Sequence, residues 1–371
     1  MNFAFTEEQD ELRASVRRFL EEKSPIATVR RSMELLDEIN EPLWTQAAEQ
    51  LGLCGLAIPE SYGGLGYGTV ELGIVLEEFG RTLACLPFFS SVVLGATAIL
   101  LFGDEDMKRA VLPGIASGER RFAVGLFEAA SGFDTSHPST VAEQKDGSFR
   151  VSGEKAYVID GATATDLVIL ANTGDGLRFF LVPSSAVGVT RDPVLSLDQT
   201  RHLATIRLEA VEAEAIGTGE ATREKIATLL DVANAMLSCE MVGGAQRCLD
   251  MAVEYAKTRI QFGRPIGSFQ AIKHKCADML VEVESAKSAA YYAAWAGASD
   301  QEELRIASPL AKAFCGDAYF TAASENIQIH GGIGFTWEHD AHLYFKRAKS
   351  SQLMFGDSAH YREVIAQRIG L

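Results

Sequence analysis

The chain has 371 residues, with 34 Lys and Arg against 50 Asp and Glu and a formal net charge of −16. That surplus of acid excludes a general nucleic-acid binder, which needs cations massed on the face that meets the phosphates. The length and a hydrophobic content of 47% indicate two or three domains with a real core, and six cysteines without a CxxC pair indicate a reducing compartment rather than a zinc or disulfide framework.

The first helix announces itself. Thr6-Glu7-Glu8-Gln9 is a capping box, and Leu12, Val16, Phe19 and Leu20 follow it at helical spacing. The acids Glu7, Glu8, Asp10, Glu11, Glu21 and Glu22 leave no apolar stretch for a secretory signal. More helices are expected around residues 40–52, 69–83, 88–102 and 104–116. Residues 59–68 carry four glycines and one proline and read as a loop. Thr82 to Gly103 is 22 residues without a charge, which is long enough to span a bilayer. Pro87 should start a new element, and Ser90, Ser91, Gly95 and Thr97 lower its hydrophobicity. A turn followed by one buried helix is therefore expected, and no membrane span.

The pattern changes near Gly118. Arg121–Phe127, Phe149–Val151, Lys155–Ile159, Leu167–Asn172, Leu177–Pro183 and Thr205–Leu208 are short β-branched or aromatic runs. Asp146-Gly147, Asp160-Gly161 and Gly174-Asp175-Gly176 separate them as turns. No helix of useful length lies between the strands, so this is an antiparallel β domain and not a parallel α/β unit. From about Glu220 four long helices are expected, over about 221–262, 268–298, 301–331 and 339–368, forming an antiparallel bundle. The fold class is thus α+β: an N-terminal helical domain over 1–118, a middle β domain over 119–216 and a C-terminal four-helix bundle over 217–371.

No GxSxG, HExxH or P-loop pattern occurs. His339 and His342 lie three apart, a spacing that can ligate a metal, but a solvated or core-satisfied pair is the expected reading. Two segments carry more. Arg259-Ile260-Gln261-Phe262-Gly263-Arg264-Pro265-Ile266-Gly267-Ser268-Phe269-Gln270 turns from one helix into the next, with Ser268 placed as an N-cap. Between Lys257 and Lys275 there are five cations (Lys257, Arg259, Arg264, Lys273, Lys275) and no acid. A corner of this kind suits an anion as well as a simple bundle turn. Gln328-Ile329-His330-Gly331-Gly332-Ile333-Gly334-Phe335 places three glycines in four positions. That exceeds what capping needs and suggests close backbone approach to a flat or phosphorylated ligand.

Together these segments resemble the acyl-CoA dehydrogenase family. The start Phe5-Thr6-Glu7-Glu8-Gln9, the loop Pro59-Glu60-Ser61-Tyr62-Gly63-Gly64, the strand entry Gly153-Glu154-Lys155, the RxQFG segment and the QxHGGxG segment all stand at family-like spacing. The resemblance implies FAD-dependent α,β-desaturation of an acyl-CoA thioester, with electrons leaving to an electron-transfer flavoprotein. It implies a tetramer in the cytoplasm, of like or unlike chains. It also implies that Arg259, Gln261, Phe262, Gln328, Gly331 and Gly332 serve the adenosine-pyrophosphate end of FAD in a neighbouring subunit.

The same resemblance leaves the catalytic residue unassigned. The family's usual base position falls on Phe355, within Met354-Phe355-Gly356-Asp357, and the alternative position on the first bundle helix falls on Ala233. Where the family has a Thr-Glu pair this chain has Phe127-Glu128, and the flavin-flanking Trp and Thr become Tyr157 and Ile159. Three readings follow: a complete dehydrogenase with a displaced carboxylate (Asp357, Asp231, Glu240 or Glu128), a catalytically silent partner that completes the FAD site of a homologous chain, or an acyl-CoA oxidase-like flavoprotein. Steroid side-chain-type heteromers are the family precedent for the second.

Overall fold

The computed structural model describes residues 5–145 and 147–371. In chain order it contains the helices α1 (Glu7–Lys23), α2 (Ile26–Ser32), α3 (Glu41–Thr45), α4 (Thr69–Thr82), α5 (Ala96–Phe102) and α6 (Glu105–Ala116). Seven strands follow: β1 (Phe122–Gly125), β2 (Val141–Lys145), β3 (Ser148–Ile159), β4 (Asp166–Asn172), β5 (Leu177–Pro183), β6 (Val189–Val194) and β7 (Leu203–Ala215). Then come α7 (Arg223–Thr258), the two-residue strands β8 (Ile260–Gln261) and β9 (Arg264–Pro265), α8 (Gln270–Ser299), α9 (Gln301–His330), α10 (Ala341–Leu353) and α11 (Ser358–Arg368). Helices, strands, helices is the expected order.

Two compact units emerge. One joins residues up to Val29 with Thr69–Ala84 and Asn234–Leu371; the other holds Arg30–Gly68 and Cys85–Ala233. In the first, α1 starts on the expected capping box. Thr6 Oγ1 accepts from Gln9 N at 3.2 Å, and Gln9 Oε1 accepts from Thr6 N at 3.0 Å. Its buried stripe, Val16 and Leu20, faces α4. Arg13 and Arg17 tie the pair, donating to Glu77 at 2.5 Å and in a two-pronged fork to Glu78 at 2.7 and 2.9 Å. Tyr291 from α8 also donates to Glu77. Both glutamates are buried, so these cations are needed to offset their desolvation.

Helix α7 passes α4 with backbone against backbone. A Cβ at Gly80 would stand 1.9 Å from the Glu240 carbonyl oxygen, and one at Gly243 would stand 1.8 Å from the Glu77 carbonyl oxygen. The next residue, Gly244, makes room for Tyr319 of α9, whose ring lies 2.4 Å from its would-be Cβ. Helix α9 in turn packs against α8, α10 and α11. Among the described residues α7 is the one helix long and apolar enough to cross a membrane, and 78% of its apolar window is buried as core. The expected fourth bundle helix is two helices. It breaks at Met354–Asp357, where Phe355 and Gly356 take φ of 61° and 128°.

In the second unit, β4, β2, β3, β7 and β5 pair in a closed ring, with β1 and β6 added outside it. Val151, Val158, Leu167, Ile169, Phe180, Val182, Ile206 and Leu208 fill its interior. The ladder is mostly antiparallel, as expected, but β1 runs parallel to β4, with Phe122 opposite Asp166. The long excursion between β1 and β4 makes that direction possible. The two runs expected at 149–151 and 155–159 are one strand with irregular register against β7. The expected turn at Asp146-Gly147 falls partly outside the described residues, at Asp146. Strands β2 and β6 escape the sequence pattern because they are largely solvent-facing, with little apolar alternation. The uncharged stretch resolves as expected: α4 ends at Thr82, and a π-helical turn at Phe89–Gly95 leads into α5, most of it buried.

Substituting Gly243 by Ala should lower the stability of the chain by about 3 kcal/mol, because the helices must part to admit the methyl group. Urea unfolding followed by circular dichroism measures it. Gly332→Ala, where a Cβ meets nothing within 4 Å, is the control and should stay within about 0.5 kcal/mol.

Candidate functional site

The two glycine-bearing segments lie in the same unit and are brought together by one ring stack. Tyr255, near the end of α7, lies against His330, the last residue of α9, with centroids 4.3 Å apart and planes 27° from parallel. Beyond Tyr255, the β8–β9 ribbon turns at Phe262 and Gly263, both with positive φ (50° and 76°). Phe262 is 92% exposed at the tip. A non-glycine residue held in that region costs roughly 1–2 kcal/mol, so the ribbon presents this ring against its own preference. Arg264 lies over the Phe269 ring at 4.2 Å, and the Phe262 ring stands edge-on to the same ring at 6.1 Å. Arg259 and Gln261 are exposed on the same ribbon. Of the five cations, Lys275 is engaged by Glu325. Ser268 does not cap α8: Phe269 occupies that position without a side-chain bond, and Ser268 sits in the preceding 3-10 turn. The tight turn after Pro265 takes up the residue that would have capped.

At the other segment α9 closes on Gly331, with φ of 64° and its N–H on the Gln328 and Ile327 carbonyls. Gln328, Gly331 and Gly332 are exposed, and a Cβ at Gly331, Gly332 or Gly263 would meet nothing within 4 Å. Capping explains Gly331. Packing explains Gly334, whose Cβ would press on His330 at 3.0 Å. Neither explains Gly332. His339 and His342 belong to no metal-holding cluster among the described residues.

The turn at residues 354–357 is built with care although residue 355 is apolar. Lys312, buried on α9, donates to the Gln352 carbonyl at 2.9 Å and to the Gly356 carbonyl at 3.0 Å. Burial pushes its ammonium down to about 7, and either protonation state carries enough N–H bonds for both acceptors. Tyr361 donates to the Phe355 carbonyl at 2.8 Å and accepts from Asn234 at 2.8 Å. The Phe355 ring itself is buried. Asp357 accepts from His360 N at 2.9 Å as the cap of α11, and Glu240 accepts from Arg347 at 2.8 Å. Ala233 and Asp231 are both buried on α7.

In the β unit, Glu128 is saturated. Its Oε1 accepts from Lys155 Nζ at 2.8 Å and from Thr140 N and Oγ1 at 3.0 and 2.7 Å; its Oε2 accepts from Ser139 N and Oγ at 2.8 and 2.5 Å. Burial alone would raise this carboxyl. The bonds from Lys155, Ser139 and Thr140 outweigh burial and hold it at about 2. Such a group cannot serve as a base near neutral pH. It knots the loop after β1 onto β3. Next to it Phe127 is buried, with the Phe133 ring edge-on at 5.6 Å. Tyr157 is 57% exposed at φ of 55°, and Ile159 is buried. Of these three positions Tyr157 alone is exposed, and Phe127 and Ile159 bring no side-chain donor or acceptor. The sequence reading gave no partner to Lys155 and missed Lys312 and Tyr255. A lysine in an alanine-rich helix such as α9 carries no local mark of burial.

Residues 224–370 match the family model described as acyl-CoA dehydrogenase, C-terminal domain, and residues 6–119 match the one described as acyl-CoA dehydrogenase, N-terminal domain. The chain is 34% identical to the acyl-CoA dehydrogenase IpdE2 of Mycobacterium tuberculosis, over 93% of this chain and 92% of that protein. Among solved structures, a chain of a Tcur3481–Tcur3483 steroid ACAD variant is 31% identical with a TM-score of 0.87, covering 98% of each chain. A chain of the ChsE4–ChsE5 complex from Mycobacterium tuberculosis is 27% identical with a TM-score of 0.90, covering 100% of this chain and 99% of that one.

Glu128→Gln should cost about 3–5 kcal/mol at pH 7, because Lys155 is left buried without its anion. Since the folded-state pKa lies below the ordinary 4.5, the Glu128 contribution is complete above about pH 4.5 and is lost as pH falls toward 2. Denaturant titrations across that window should show the gap between wild type and variant narrowing.

Proposed function

The chain belongs to the acyl-CoA dehydrogenase family, and we propose that within it this chain is the non-catalytic subunit of a heteromeric dehydrogenase, lending its bundle to the FAD of a catalytic partner. One asymmetry carries the reading. Every bundle residue that would serve a neighbour's FAD is present and accessible, whereas among the positions that would serve the chain's own flavin and base Phe127, Ile159, Ala233 and Phe355 are apolar and Glu128 is saturated.

The fit at the bundle is physical. In this reading Gly263, Gly331 and Gly332 form the cradle, since a Cβ at any of them would stand in open space. The exposed backbone of the glycine turn and the exposed Arg259 would supply the N–H donors a pyrophosphate needs. In this reading Arg259 supplies charge-assisted donors, Gln261 and Gln328 supply amides, and Phe262 supplies a ring face for the adenosine end. FAD, when bound, takes up the hydride and passes electrons on. The β-domain face does not fit a flavin ring in the same way, because Phe127 and Ile159 bring no donor or acceptor. We assign this chain no proton abstraction: position 355 carries no carboxylate, Glu128, Glu240 and Asp357 are held in structural bonds, and Asp231 is buried on α7.

The acyl-CoA thioester and the electron-transfer flavoprotein would then engage the catalytic chain. A steroid side-chain thioester is the favoured substrate class, on the likeness to the steroid ACAD chain. A cytoplasmic tetramer of unlike chains accords with the ChsE4–ChsE5 likeness and with the apolar side chains left exposed in the bundle unit, among them Ile260, Phe262, Phe335 and Trp337. Segments 1–118, 119–216 and 217–371 would act as the helical, β and bundle parts of that subunit.

Purified alone, the chain should carry little flavin by absorbance and show no bleaching by acyl-CoA. Flavin near one per chain, bleached by acyl-CoA with no other protein present, would contradict the proposal. In a complex co-purified with a catalytic homologue, Arg259→Ala should weaken FAD retention about 10- to 100-fold, measured by release on dilution. The same substitution should leave the unfolding free energy of the isolated chain within about 0.5 kcal/mol.

A further inference from the structure

His330 and His339 flank the Gly331–Phe335 turn, and their contacts fix their protonation. His330 Nδ1 lies 2.8 Å from the Asn326 carbonyl oxygen, which can only accept, so this nitrogen carries the proton. His339 Nδ1 lies 3.1 Å from Ala341 N, which can only donate, so this nitrogen is bare and His339 is neutral. That bond does the work of a cap: α10 starts at Ala341, and its N-cap residue Asp340 makes no side-chain capping bond. The two imidazoles touch, with centroids 4.4 Å apart. On its other side His330 stacks on Tyr255 of α7, and Gly334 folds back over it.

We propose that residues 330–341 form a proton-operated latch, in which the neutral His330–His339 pair closes the glycine turn against α7 and protonation of the pair releases it. A proton on His339 Nδ1 breaks the bond from Ala341 and sets a cation at the positive end of α10. A second proton on His330 puts a charge in a buried stack. Tyr255 from α7 and His339 from the connector touch His330, Glu338 and Asp340 flank His339 in the chain, and His342 of α10 lies edge-on to Trp337 of the connector. Burial and the neighbouring His339 hold His330 below its ordinary value of 6.5. The sign follows: the closed form keeps its full advantage above about pH 6.5 and loses it as pH falls further. Because the turn carries Gly331 and Gly332, release would undo the cradle assigned above, so acid would loosen the neighbour's cofactor. The latch goes beyond the donor role and can be tested without it.

Amide hydrogen exchange on the full chain without added cofactor, corrected for intrinsic rates, tests the latch at pH 7.5 and 5.5. Peptides across residues 331–345 should lose about tenfold in protection at the lower pH, while the buried middle of α7 stays unchanged. In His330→Phe with His339→Asn, the ring stack and a side-chain acceptor remain and neither position titrates, so the share of the pH dependence set by the pair should vanish, His342 against Trp337 being unchanged in both proteins. Unchanged protection in the wild type, or the same pH dependence in the double variant, overturns the proposal. Should that variant not fold, imidazole NMR titration of the wild type decides. Either histidine taking up its proton with no response in the 331–345 amides also overturns the latch. Because no flavin enters these measurements, their failure leaves the donor role untouched, and failure of the donor role leaves the latch.

Discussion

Everything in the bundle unit depends on a helix that can be approached on two sides. Gly243 and Gly244 sit at mid-length in α7, where each costs roughly 1 kcal/mol of helix propensity. What they allow is contact without side chains. Gly243 meets the Glu77 peptide of α4, Gly80 of α4 returns the contact at Glu240, and Gly244 receives the Tyr319 ring of α9. The close crossing sets Glu77 and Glu78 beside Arg13, Arg17 and Tyr291. It also fixes where α7 ends, and so where Tyr255 stacks and where the Phe262 ribbon points.

The remaining polar groups of the two units sort into a pattern with a functional meaning. Three of the four candidate carboxylates are spent on structure: Glu128 on five hydrogen bonds, Asp357 on a cap, Glu240 on an arginine. The 354–357 turn is supported by Lys312 and Tyr361 as firmly as a turn that presents a reactive group would need to be, yet it presents Phe355. Groups with free faces, by contrast, are those of the ribbon and the glycine turn. On the proposed function, the chain is equipped at the surface it offers outward and closed where it would have worked for itself.

Much of this was legible in the sequence because local rules carried it. The Thr6 capping box, the helices before Gly118, the change to strands and the long C-terminal helices all follow from caps, periodicity and turn residues that act within a few positions. The parts that escaped are those set by tertiary contact. Residue 355 breaks a periodic helix because Lys312, distant in sequence, binds the carbonyls on both sides of it. Ser268 has the right chemistry for a cap but is displaced by the turn after Pro265. Strands β2 and β6 have no buried face strong enough to show a period of two. At the site, the glycines and Arg259 were visible as composition, whereas the stack of Tyr255 on His330 that joins the two segments needed the fold.

The central claim is that one half of a flavin site is built here and the other half is not. The most direct measurement is the number of FAD molecules in a purified complex of this chain with a catalytic acyl-CoA dehydrogenase homologue, by flavin absorbance after denaturation against quantified amounts of each chain. The account predicts one FAD for each pair of unlike chains. Two FAD per pair would mean that this chain's own β-domain face holds a flavin, and would contradict it.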